Sequence, residues 1–203
     1  MKKLAILGGG RGGQLIAETI NDDIYGERYE IEFYDDYSEM GIRDVPDDCY
    51  IIISIGLRMD IRRKWFGMFD CNRFINSNRS EYMVNMGVGN VIFPNAHFDL
   101  FHKIGDNNVI SSGTIINHHC KVGSGNLFGP GCLLSGSVEI GDNCTFGSGV
   151  IIEPNVRIGN NTSVASGTVI TKDVLENVRI LARRNMQHSS VFQGERMVKA
   201  KRL

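Results

Sequence analysis

Two stretches of the 203-residue chain hold residue types that can do chemistry at their spacing. The first is Asn117-His118-His119-Cys120. Imidazole titrates near neutrality and can take a proton from an attacking amine or hydroxyl, which contributes about 10²–10⁴-fold to a rate. Comparable positions along this half of the chain hold Asn, Ser, Asp and Gly, so two adjacent histidines stand out. A metal would need a third ligand. His97 and His102 are the other nearby histidines, and neither falls in a matching position, so no metal is expected. An exposed histidine without a role is the plain alternative to a general base. The second stretch is Gly8-Gly9-Gly10-Arg11-Gly12-Gly13. Gly8, Gly10 and Gly13 have GxGxxG spacing, and Asp35-Asp36 follow about 20 residues on. Such a turn offers backbone N–H groups and a helix N-terminus to a diphosphate, while a carboxylate accepts from a base or ribose. A tight glycine turn without a ligand is the alternative there.

These residues need elements to hold them. Lys3–Leu7 reads as a short strand and Gln14–Ile20 as an amphipathic helix. Glu30–Tyr34 reads as a second strand. Tyr50–Ile55, closed by Gly56, reads as a buried parallel strand. Asp60–Phe69, with Ile61, Trp65 and Phe69 four apart, reads as a helix, and Phe74-Ile75 as a last short strand. This βαβ order predicts a small Rossmann-like α/β half over residues 1–80. It is short for a full dinucleotide fold, and a single mononucleotide unit fits better.

From Met86 the period changes. An apolar residue recurs at every sixth position through Ile170, including Ile92, Phe98, Ile116, Phe128 and Ile152. Fifteen positions in unbroken register mean hexapeptide repeats. Three hexapeptides make one triangular coil, so a left-handed parallel β-helix of five coils is expected over residues 81–178. The position after each apolar residue is small at most steps, as at Gly105, Gly123 and Gly147, and is expected to let the backbone turn. Cys120, Cys132 and Cys144 share the fifth place, an inward slot that a free thiol fills well. His118 takes the third place, where a side chain points outward. Residues 179–203 are rich in Lys and Arg and are expected as a basic C-terminal tail. Arg183 and Arg184, close to the last coil, could instead meet a phosphorylated ligand.

Composition narrows the classes. With 22 basic and 23 acidic residues, the chain lacks the strong basic excess of a dedicated nucleic-acid binder. Runs such as Tyr50–Ile53 are far below the roughly 20 apolar residues of a membrane helix. The first residues give too short an apolar core for a signal peptide, so a cytoplasmic location is expected. Five cysteines without a CxxC pair make disulfides and a zinc site poor expectations.

The order of these parts resembles the bacterial sugar O/N-acyltransferases of the sialic acid and nucleotide-4-aminosugar type, like the bacillosamine-pathway acetyltransferase. It covers roughly residues 3–175: the glycine turn, Asp-Asp after the second strand, a strand ending Ile55-Gly56, then Ile61-Arg62-Arg63-Lys64, then the hexapeptides. The resemblance implies that Gly10, Arg11, Gly12 and Gly13 bind the diphosphate of a nucleotide-linked amino sugar. It places Asp35 and Asp36 at the base and ribose, with Gly56 beside the same ligand. It implies that His118 is the general base for direct attack on acetyl-CoA, and that the chain forms a homotrimer. Coenzyme A would then lie between neighbouring helices near Ser148 and Ser166. UDP is favoured as the nucleotide, with dTDP or GDP as alternatives.

Three positions depart from the family pattern. His119 stands where a Glu or Asp usually orients the base. Leu127 stands near the thioester where a histidine is common, and cannot hydrogen-bond. Leu181-Ala182-Arg183-Arg184 replaces the usual Gly-x-Pro-Ala-Lys near the coenzyme A tail. An acyl-CoA-dependent N-acyltransferase is therefore the leading expectation. The alternatives are a nucleotide-sugar-binding trimer without activity and an O-acetyltransferase of a sialic-acid-like sugar.

Overall fold

The structure is a computed structural model that describes residues 2–21, 28–35, 41–54, 58–76, 85–182, 190–193 and 196–199. Strand β1 (Lys2–Leu7) lies between β2 (Tyr29–Tyr34) and β3 (Tyr50–Ile53), all parallel. Successive side chains of a strand point to opposite faces, and here both faces are covered. Leu4, Ile6 and Ile52 meet Ile16, Ala17 and Ile20 of helix α1 (Arg11–Asn21). Ala5, Leu7, Ile51 and Ile53 meet Trp65 of helix α2 (Met59–Phe66), with Phe74 and Ile42. Phe74 makes one isolated bridge to Ile51 and no full strand. No helix among the described residues is long and apolar enough to cross a membrane.

The hexapeptides wind into a triangular prism of three parallel sheets, of six, five and four short strands. Strands pair 18 positions apart, as Val109–Ile110 does with Leu127–Phe128, until the last step, where Ser163–Val164 pairs 16 positions on. The first-place residues stack inside as one apolar column, where Phe128 and Phe146 lie ring on ring, 5.0 Å apart and 6° from parallel. The fifth place is also inward and works as a donor slot. The Cys120, Cys132 and Cys144 thiols each donate to a carbonyl 15 residues on, at 3.2 Å. Burial pushes all three thiols up in pKa. At one corner the slot holds fully buried Asn90, Asn108 and Asn126. Each carboxamide oxygen accepts the backbone N–H 18 residues on, from Asn108, Asn126 and Cys144. Buried polar groups are retained when paired in this way.

Two expectations change. The chain turns at the fourth place, where φ is positive at every step from Gly89 to Gly167. The small second-place residue has a different cause: a Cβ on Gly105 would lie 2.9 Å from the carbonyl carbon of Gly123 in the next coil. The helix also continues past 178. Arg179–Ile180 pairs with Ser163–Val164, because the N–H groups of Ser163 and Ala165 need the carbonyls of Val178 and Ile180. Within the expected tail, Ser190–Gln193 and Arg196–Lys199 pair as an antiparallel hairpin.

The two halves share a joint. Arg62 is fully buried, and its guanidinium donates to the Ile53 carbonyl and, at 2.7 Å, to the Gly89 carbonyl. It thus ties the end of β3 to the entry of the prism. Burial pushes it down to about 9, so it stays charged at neutral pH. Arg63 Nη2 reaches the Asn143 carbonyl at 3.3 Å, on a prism corner. Arg62→Ala is expected to cost about 3 kcal/mol by leaving two buried carbonyls without this donor. Urea denaturation at neutral pH measures this, and an unchanged midpoint would mean the joint holds without Arg62.

Candidate active site

The glycine turn leaves the carboxyl end of β1. With β2 on one side and β3 on the other, this is the switch point at which open parallel sheets take ligands. Gly8 turns with φ +104°, and its N–H donates to the Tyr34 carbonyl at 2.8 Å. Ser54 closes the other flank, its Oγ donating to the Gly8 carbonyl at 2.6 Å. The three spaced glycines divide the work. A Cβ on Gly13 would lie 2.2 Å from the Gly8 carbonyl oxygen, so helix and strand can approach only without it. A Cβ on Gly10 would meet nothing within 4 Å, so Gly10 keeps space free that the chain itself does not fill.

Arg11 and Gly12 open α1, and Arg11 is exposed. No acidic residue occupies the first turn of α1, so its positive end is not offset there. Asp35 Oδ2 accepts the Gly9 N–H at 3.3 Å. Gly10, Arg11, Gly12, Gly13 and Asp35 therefore gather around one turn. Asp36, Gly56, Arg183 and Arg184 lie outside the described residues.

The histidines sit on the corner between the five- and four-stranded sheets, both exposed. The ring of His118 lies against the next coil. A Cβ on Gly136 would stand 2.6 Å from its Cε1 and 2.9 Å from its Nε2. Gly136 has no positive φ, so the imidazole, and not the backbone, accounts for glycine there. His118 Nδ1 lies 3.1 Å from His119 Nδ1, with the rings edge to face. His102 is no part of this pair. It is buried in the inward slot, and its Nδ1 donates to the Asp99 carbonyl at 2.6 Å.

The corner differs from the other two in its backbone. Fourth-place residues from Gly89 to Gly167 all have positive φ, and elsewhere they are Gly or Asn. Phe101, His119 and Ser137 are the exceptions, and they stack 18 apart on this corner. Positive φ is an outlier for a bulky residue, and such strain gathers at functional sites. The fourth-place pattern was readable from the sequence once the corner position was known. Gly136 carried no such signal, because its cause lies one coil away.

Ser148 and Ser166 are exposed on a different corner, between the six- and five-stranded sheets. Leu127 is half-buried on the outer side of the six-stranded sheet. One chain therefore does not bring these residues to His118. The five-stranded face between the two corners carries an outward column of Ile115, Leu133, Ile151 and Val169, with Ile115 37% and Val169 51% exposed. Among the described residues, no three His, Cys, Asp or Glu side chains gather as a metal-holding group.

Residues 101–136 and 137–172 match the bacterial transferase hexapeptide family, six repeats each. No curated protein matches the chain in sequence. Solved structures share the fold over 86–88% of this chain. The acetyltransferase domain of PglB from Neisseria gonorrhoeae FA1090, in complex with acetyl coenzyme A, has a TM-score of 0.72 at 21% identity, covering 86% of this chain and 93% of that one. A mutant perosamine N-acetyltransferase from Caulobacter crescentus, in complex with CoA and GDP-perosamine, has a TM-score of 0.71 at 24% identity, covering 88% and 93%. WeeI from Acinetobacter baumannii AYE has a TM-score of 0.72 at 19% identity, covering 88% and 96%.

The turn separates two effects that substitution can tell apart. Gly10→Val should leave the unfolding free energy within about 0.5 kcal/mol, and where the turn holds a nucleotide it should abolish that binding. Gly13→Ala should cost about 2 kcal/mol or more through the backbone clash. Calorimetric titration with UDP, dTDP and GDP, beside denaturation curves, reads both. A Gly10→Val protein that binds as well as the wild type would make the turn purely structural.

Proposed function

We propose that the chain is an acyl-CoA-dependent N-acyltransferase acting on the amine of a nucleotide-linked 4-amino-4,6-dideoxy sugar, with acetyl as the acyl group. The observation that carries this reading is the His118 corner. An exposed imidazole lies against a residue without a Cβ, with one nitrogen engaged by His119, on the corner where the backbone departs from the Gly/Asn rule. The ligands named for structures of the same fold support the substrate class: acetyl coenzyme A in one, CoA and GDP-perosamine in another.

In this reaction the neutral amine nitrogen attacks the thioester carbonyl carbon. A C–N bond forms, the C–S bond breaks, and the proton shed by nitrogen passes to His118 Nε2. That proton leaves with the departing sulfur as coenzyme A thiol. The glycine turn would hold the diphosphate on the N–H groups of Gly10 to Gly13, with Asp35 at the ribose or base. UDP, dTDP and GDP all carry the diphosphate that this turn would bind, and UDP stays our first choice. A homotrimer would cover the apolar column Ile115–Leu133–Ile151–Val169 and bring the Ser148 and Ser166 corner of a second copy towards His118. In that arrangement Leu127, Arg183 and Arg184 fall to coenzyme A contacts.

Release of free thiol from acetyl-CoA in the presence of UDP-, dTDP- and GDP-linked 4-amino-4,6-dideoxy sugars tests the reading. Release should depend on one sugar and fall about 10²–10⁴-fold in His118→Ala, with nucleotide binding retained. Equal rates in that variant would remove His118 from the mechanism. Gly136→Ala should lower the rate at least tenfold by displacing the imidazole, with nucleotide binding kept. An unchanged rate would show that the ring position does not matter.

A further inference from the structure

The contact between His118 and His119 is made nitrogen to nitrogen, Nδ1 to Nδ1 at 3.1 Å. One of the two must donate and the other accept. A base that receives its proton at Nε2 must have Nε2 bare beforehand, which leaves the proton of neutral His118 on Nδ1. His119 is then the acceptor, bare at Nδ1 and protonated at Nε2. A carboxylate accepts in whatever way it is turned. An imidazole accepts only when neutral and only when its bare nitrogen faces the partner, so its ring must be held.

The ring that holds it is Phe101. Its centroid lies 5.0 Å from that of His119, with the planes 35° apart. It sits directly above His119 in the column, 70% exposed, with φ +64°. A large apolar side chain exposed on a left-handed corner gains little for the fold, and the Phe101 ring packs instead on the imidazole. The backbone supports the same stack, since the His119 N–H donates to the Leu100 carbonyl at 3.2 Å. The charged and titratable groups that flank this corner in the coils around it are Asp99, His102, Lys103, Lys121, Glu139 and Glu153. None of them hydrogen-bonds either ring: Asp99 Oδ1 accepts the Leu100 N–H and Lys121 pairs with Glu139.

We propose that Phe101 is a positioning residue: it fixes the His119 ring as a neutral, Nε2-protonated acceptor, which in turn fixes His118 in the Nδ1–H form with Nε2 free to act as base. The inference rests on His118 being the base, but its first test does not depend on turnover. Nitrogen-15 shifts of the two imidazoles, recorded on the wild-type protein at mildly alkaline pH, should show His118 protonated at Nδ1 and His119 at Nε2. The reverse assignment overturns the proposal whatever the activity.

Variants give the second test. Phe101→Asn places at this corner the residue that the chain uses at Asn95, Asn107, Asn143, Asn155 and Asn161. It should melt no lower than the wild type, yet show mixed His118 tautomers and a kcat about tenfold lower at unchanged KM. Phe101→Tyr should restore both readouts by keeping the ring. His119→Asn should keep His118 in its tautomer through the carboxamide oxygen, and His119→Leu should not. Wild-type tautomers in Phe101→Asn would sink the proposal. The expected tautomers together with no thiol release from any sugar would instead leave the positioning intact and remove the acyltransferase reading.

Discussion

Everything in the larger half follows from one register: a backbone N–H of each coil meets the carbonyl that stands almost one full coil further along the chain. Val91 donates to Asn108, Val109 to Asn126 and Leu127 to Cys144. Because this ladder repeats on all three sheets, a side chain in the regular coils has a fixed neighbour 18 positions away. That neighbour sets what each residue can be. It makes Phe128 stack on Phe146, lets Asn108 serve Asn126, and forbids a Cβ on Gly136 beneath His118. A hydrophobic column without this register would still collapse, but it would not hold an imidazole in one place.

The three sides of the prism are chemically different. The four-stranded face carries the charged ladder Lys121–Glu139–Arg157. The six-stranded face begins under the N-terminal sheet, where Val91 joins the core around α1. The five-stranded face is apolar along its outward column from Ile115 to Val169, below His97. An exposed apolar stripe of this kind marks an interaction surface. The histidine corner and the Ser148 corner flank that face.

Much of this could be read from the sequence, for a simple reason. A period of six written in apolar residues survives without any knowledge of which coil meets which. The same holds for the inward thiols of Cys120, Cys132 and Cys144, and for the strand–turn–helix around Gly8. Contacts that cross from one coil or one half to another were less legible. The roles of Arg62, Gly136 and Phe101 depend on what lies opposite, and no local pattern reports that. The second-place glycines illustrate the limit: they look like turn formers in the sequence, yet they serve the packing of the coil beneath. The last strand of the prism shows the same limit, since Arg179–Ile180 departs from the apolar period while the carbonyls of Val178 and Ile180 still satisfy the ladder.

The register also restricts how this chain can change in length. A coil is a rotation as well as a rise. Losing or gaining one hexapeptide between Gly89 and His118 would swing the histidines by a third of a turn onto another corner, away from the apolar face they border. Only whole coils preserve their bearing, and each would move them along the axis by the strand spacing of about 4.8 Å. Changes of length ahead of the histidines that keep their bearing therefore come as whole coils, and a shorter insertion there keeps it only by looping out at a corner.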